Sequence, residues 1–93
     1  MEFRIIAAVL LITPLIAYGN TEELGICNAG EYASRNGQFS EAVELLTMCL
    51  SYSAVPDKKK ASAYQARAWA YFNLSSVESA VQDQEAAFSI KAP

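Results

Sequence analysis

The amino-acid sequence predicts an all-α chain made of two antiparallel helix-turn-helix hairpins behind an apolar leader. Three observations carry this. Four amphipathic stretches follow the leader, each bounded by residues that start and stop helices. No stretch shows the sustained apolar–polar alternation of a half-buried strand. The links at Gly37-Gln38-Phe39 and at Asn73 to Ser76 are too short for a crossover, so the helices they join must fold back on each other.

The leader covers residues 1–19. Arg4 and the terminal amine supply its positive start, with Glu2 offsetting one charge, and Ile5 to Ile16 is apolar apart from Thr13 and Pro14. Ala17-Tyr18-Gly19 then sets small residues around one larger one, the pattern a signal peptidase requires, which puts cleavage after Gly19. The run from Ile5 to Tyr18 is shorter than the roughly 20 residues a membrane-spanning helix needs, and Pro14 interrupts it. A lipoprotein would need a small residue directly before a cysteine close behind the apolar run, but Cys27 follows Ile26 and lies further on. The leader therefore predicts a periplasmic or secreted protein with no stable membrane anchor.

The first helix is expected from about Glu22 to Asn36. Asn20 or Thr21 can cap it, Glu22 and Glu23 suit the positive end of its dipole, and Gly37 ends it. The second runs from about Ser40 to Ser53, with Ala42, Val43, Leu45, Leu46, Cys49 and Leu50 on or beside one face, and Tyr52 to Pro56 carries the break. Asp57 starts the third, which reaches about Leu74 with Tyr64, Ala68 and Tyr71 at helical spacing. Ser75 is placed as the cap of the fourth, with Glu78 completing a capping-box pattern. That helix runs to about Lys91 and is expected to bury Val77, Ala80, Val81, Ala87 and Phe88.

Sliding the chain by 38 residues sets Gly30 on Ala68, Ala33 on Tyr71, Ala42 on Ala80, Val43 on Val81 and Leu50 on Phe88. The correspondence lies in the spacing of small and large residues rather than in identical letters. Small residues at Gly30, Ala42, Ala68 and Ala80 allow close helix approach, while Tyr64, Tyr71 and Phe88 are expected to fill the gaps between. The stretch from Gly30 through Gly37 and Phe39 to Val43, and its counterpart through Arg67-Ala68-Trp69-Ala70-Tyr71, Ala80, Ala87 and Pro93, resembles the tetratricopeptide repeat family. Each unit of that family is a helix-turn-helix of 34 residues. The resemblance implies an α-solenoid fragment of two units, 20–56 and 57–93. Four extra residues separate the units, Ser75 stands where a turn glycine is usual, and Gln84 occupies a normally apolar slot. Two units are fewer than the three or so that usually form a stable core. Either a partner, a second copy or a covalent staple is therefore expected to complete the fold.

Cys27 and Cys49 are the natural staple. They are equidistant from Gln38, so they should lie at similar heights on facing helices, and an even pair in an oxidising compartment is expected to be bridged. Two buried free thiols are the alternative, and Cys27 leans towards the groove of the resembled fold as much as towards the second helix. A redox-active pair lacks the usual C-x-x-C spacing.

Functionally, a net charge of −3 without a basic stripe disfavours nucleic acid. The absence of histidine removes the commonest general base and metal ligand. No glycine-rich loop or ligand cluster is present, so neither catalysis nor a cofactor or metal is expected. Lys58-Lys59-Lys60 reads as a solvated face, as do Glu41 and Glu44. The resemblance implies a protein or peptide partner along a groove lined by Asn28, Glu31, Arg35, Gln65, Trp69, Phe72 and Asn73. Trp69 and Phe72 lie three apart on one helical face. The clamp by which some family members grip a C-terminal carboxylate is absent, since Cys27 and Glu31 hold matching positions. The expectation is a non-catalytic interaction module; a thiol-disulfide protein using Cys27 and Cys49, or a self-associating structural subunit, are the alternatives.

Overall fold

The structure, a computed structural model, describes residues 19–91, and these form an all-α arrangement of four helices. They are α1 (Gly19–Arg35), α2 (Phe39–Ser51), α3 (Asp57–Asn73) and α4 (Val77–Lys91). The leader up to residue 18, and Pro93, lie outside the described residues. No described helix is long and apolar enough to cross a membrane.

The two hairpin turns repeat each other bond for bond. In the first, Gly37 takes φ +82°, the Gln38 N–H donates to the Ala33 carbonyl at 2.9 Å, and the Gly37 N–H donates to Ser34 at 3.5 Å. This is the paired-bond ending that satisfies the last helical carbonyls. In the second, Ser75 takes φ +65°, the Ser76 N–H donates to Tyr71 at 2.8 Å, and the Ser75 N–H donates to Phe72 at 3.1 Å. Each atom pair is displaced by the 38-residue shift. The expected role of Ser75 is thereby corrected. A residue in the left-handed conformation ends α3 and does not cap the helix that follows. The Ser76 carbonyl, accepting from the Ala80 N–H at 3.0 Å, opens α4 instead.

Between the hairpins, Tyr52 turns the chain extended and Pro56 leads into α3, where the Lys60 N–H donates to the Pro56 carbonyl at 2.9 Å. Val55, from the extra residues of this link, is buried in the core.

The core is made mostly of small side chains: Cys27, Ala33, Ala42, Leu46, Cys49, Val55, Ala63 and Ala70. Leu46 is the largest side chain that is fully buried. A β-carbon added at Gly30 would stand 2.6 Å from Leu46 Cγ and 2.7 Å from its Cδ2, so the small residue read at this position is a packing requirement. The helices α1 and α2 pack together and α3 lies across both, whereas among the described helices α4 packs on α3 alone.

Polar ties reinforce this order. The buried Ser34 hydroxyl on α1 donates to the Ala66 carbonyl on α3 at 2.8 Å. The Arg67 guanidinium donates from Nε and Nη2 to the two carboxylate oxygens of Asp83 on α4, at 2.7 and 2.8 Å. Its Nη1 donates to Thr47 Oγ1 on α2 at 3.1 Å. Tyr64 and Tyr71, half-buried, flank the same group with ring centroids 5.7 and 5.6 Å from its carbon. The Asp83 hydrogen bonds hold Arg67 protonated above its usual range, against the opposing effect of burial. Arg67 thus joins three helices.

One expectation about the core fails. Ala80 and Ala87 are buried on α4, but Val77, Val81 and Phe88 are exposed, Phe88 by 75%. These three lie along the rim of α4 beside its contact with α3, and no other described element covers them.

Candidate interaction surface

Of the seven residues expected to line one groove, five are divided between two grooves and two, Asn28 and Asn73, line neither. Glu31 and Arg35 of α1 and Gln65 and Trp69 of α3 line a shallow cleft between these helices, together with Ser34, Ser62 and Ala66. Five of these seven lining residues are polar, and the cleft is open to solvent. Asn28 stands aside, its side-chain Oδ1 accepting from Lys59 Nζ at 2.8 Å, and Lys59 also pairs with Glu31 at 3.3 Å. Lys59 therefore ties α3 to α1 rather than lying on a purely solvated face. Lys58, Glu41 and Glu44 are exposed as expected. Asn73 turns back on its own helix, its side-chain amide donating to the Trp69 carbonyl at 2.8 Å.

The second groove runs between α3 and α4. Ala68 and Ala80 form its small-residue floor, while Trp69, Phe72, Val77 and Val81 form apolar walls and Gln65 and Gln84 contribute amides. It continues along α4 past Glu85 and Phe88 to Lys91. Trp69 and Phe72 are 54% and 59% exposed, with stacked rings 6.3 Å apart between centroids. The helical spacing of three that places these rings together also sets them off the face that holds Ala68 against α4. The sequence places this aromatic pair outside the core but in a groove with α1, and it assigns Val77 and Val81 to the core.

The cysteines are settled by geometry. Their sulfurs lie at disulfide distance, 2.06 Å, with Cα atoms 4.8 Å apart, and both residues are fully buried. Cys27 faces α2 and not the groove. Among the described residues no group of three or more histidines, cysteines or carboxylates is placed to hold a metal ion.

An apolar channel with small residues on its floor, aromatics on one wall and amides at its rim suits the apolar face of a helix. Comparison with known protein families, curated proteins and solved structures found no match for the chain.

Proposed function

We propose that this chain is an exported, non-catalytic interaction module of tetratricopeptide-repeat-like build, which takes a helical segment of a protein partner into the α3–α4 groove. The observation that carries the reading is the exposed run of Trp69, Phe72, Val77, Val81 and Phe88 along one channel. Exposed apolar surface gathered in this way is costly in water unless something covers it, and aromatic anchors of this kind dominate binding energy at interfaces. Export is supported by the leader and by the paired cysteines, since disulfides persist in oxidising compartments. The redox alternative is disfavoured because both sulfurs are fully buried, which denies an attacking thiolate access.

The test is site-specific photo-crosslinking in the producing cell, with a benzoyl-phenylalanine at position 72 and a control at position 44. Phe72 lies in the groove and Glu44 is an exposed residue of α2. Discrete adducts at 72 that are absent at 44, and that diminish with Val81→Asp, are expected. No adduct at 72, or the same adducts at both positions, defeats the reading.

A further inference from the structure

The α3–α4 groove has a counterpart inside the chain. At the 38-residue shift, Phe72, Val77, Val81 and Phe88 correspond to Ser34, Phe39, Val43 and Leu50. In the first hairpin these four are buried or half-buried; in the second all four are exposed. The difference is α3, which lies across α1 and α2 and sets Ala63 and Ala70 among Cys27, Ala42, Leu46 and Cys49. The first hairpin's groove is occupied by the helix that opens the next unit. The second hairpin presents the same groove with no described helix in it.

We infer that this groove receives α1 of a second copy of the chain, stacked head to tail as α3 stacks on the first hairpin. The inference rests on the groove being the interaction site proposed above. The helix equivalent to α3 at the shift is α1, and its matching stripe is open. Gly25, Ala29 and Tyr32 hold the places of Ala63, Arg67 and Ala70. A β-carbon at Gly25 would meet nothing within 4 Å, Ala29 is exposed, and Tyr32 is 60% exposed. One end of the molecule thus carries an uncovered first helix and the other an uncovered groove for one. Charge agrees with this direction. The short link between α2 and α3 keeps the start of α3 beside the end of α2, so an incoming α1 starts beside the end of α4. That brings the acidic first turn at Glu22 next to Lys91, a cation in the last turn of α4. Such a contact joins two different surfaces and leaves one of each free, so it adds copies in series unless the rotation between them closes a ring. A single-helix contact is at the small end of specific interfaces, where weak and transient encounters sit, so association is expected from about micromolar concentration upward.

Sedimentation velocity on the purified, disulfide-bonded protein, from micromolar to millimolar concentration, tests this. The weight-average coefficient is expected to rise continuously past that of a dimer. Tyr32→Asp closes the helix face and Val81→Asp closes the groove; both residues are exposed, and circular dichroism melts check that each variant folds. Each alone should remain monomeric where the parent associates, and an equimolar mixture should form a dimer and nothing larger. As a second readout, Lys91→Glu should weaken association several-fold at low salt, and adding Glu22→Lys should restore it. A parent that stays monomeric throughout overturns the inference, as does a mixture with no dimer. Dimerisation of Tyr32→Asp equal to the parent's would indicate groove-to-groove pairing and overturn it too. A monomeric parent whose position 72 still cross-links to a different protein rules out the second copy and leaves the interaction module standing.

Discussion

Gly30 and Ser75 show how single positions decide this fold in opposite ways. Gly30 sits inside α1, where alanine would favour the helix by about 1 kcal/mol. Yet its missing β-carbon is the space that the fully buried Leu46 occupies, at 2.6 Å from Cγ. Overpacking of this kind typically costs about 1–3 kcal/mol. Gly30→Ala is therefore expected to lower the denaturation midpoint in urea, the reverse of its effect on an isolated helical peptide. Ser75 carries the opposite imbalance. It holds φ +65° where its counterpart Gly37 holds +82°, and a side chain in that region costs roughly 1–2 kcal/mol. Ser75→Gly should raise stability by about 1 kcal/mol, read as a melting temperature several degrees higher. An unchanged or lower melting temperature would show that the serine is not strained there.

At the scale of elements, the hairpin symmetry that pairs the cysteines also pairs the ions. Cys27 and Cys49 are equidistant from Gln38, and Arg67 and Asp83 are equidistant from Ser75. The first pair was legible in the sequence because two cysteines have few alternatives. The second was equally available by counting from the turn, but charges on helices ordinarily read as solvated, so it went unseen. The helices themselves were legible to within a few residues, because glycine, proline and short links punctuate the amphipathic pattern. What periodicity does not encode is whether an apolar face has a neighbour, and for this reason Val77, Val81 and Phe88 were assigned to a core that does not reach them. The Arg67–Asp83 tie makes its own prediction. Removing one member of a largely buried, bidentate pair strands the other charge, which costs about 3–5 kcal/mol when burial is complete. Both side chains here are at most 16% exposed. Arg67→Met should thus be among the most destabilising single changes between the hairpins. Arg67→Met with Asp83→Leu should recover most of the loss in the same chemical melt. If the double variant is as unstable as the single one, the packing of Arg67 on Tyr64 and Tyr71 matters more than its charge.

Over the whole molecule, stability is expected to be graded from the first hairpin to the last helix. The helices α1 and α2 are joined by the cysteine pair and covered by α3, and α3 packs on all three of the others. By contrast, α4 has one neighbour among the described helices, and its apolar face is exposed. Regions with few buried contacts open locally at a free energy below that of global unfolding. Amide hydrogen exchange at low protein concentration should therefore find the least protection in α4 and the greatest in α2 around Leu46 and Cys49. If a second copy's α1 occupies the α3–α4 groove, ligand linkage adds to the stability of the covered helix in proportion to its saturation. Protection of α4 should then rise with protein concentration while that of α2 stays constant, and Tyr32→Asp should abolish the rise. Uniform protection across the four helices would mean that they open as one unit. A gradient independent of concentration would mean that α4 remains uncovered between copies.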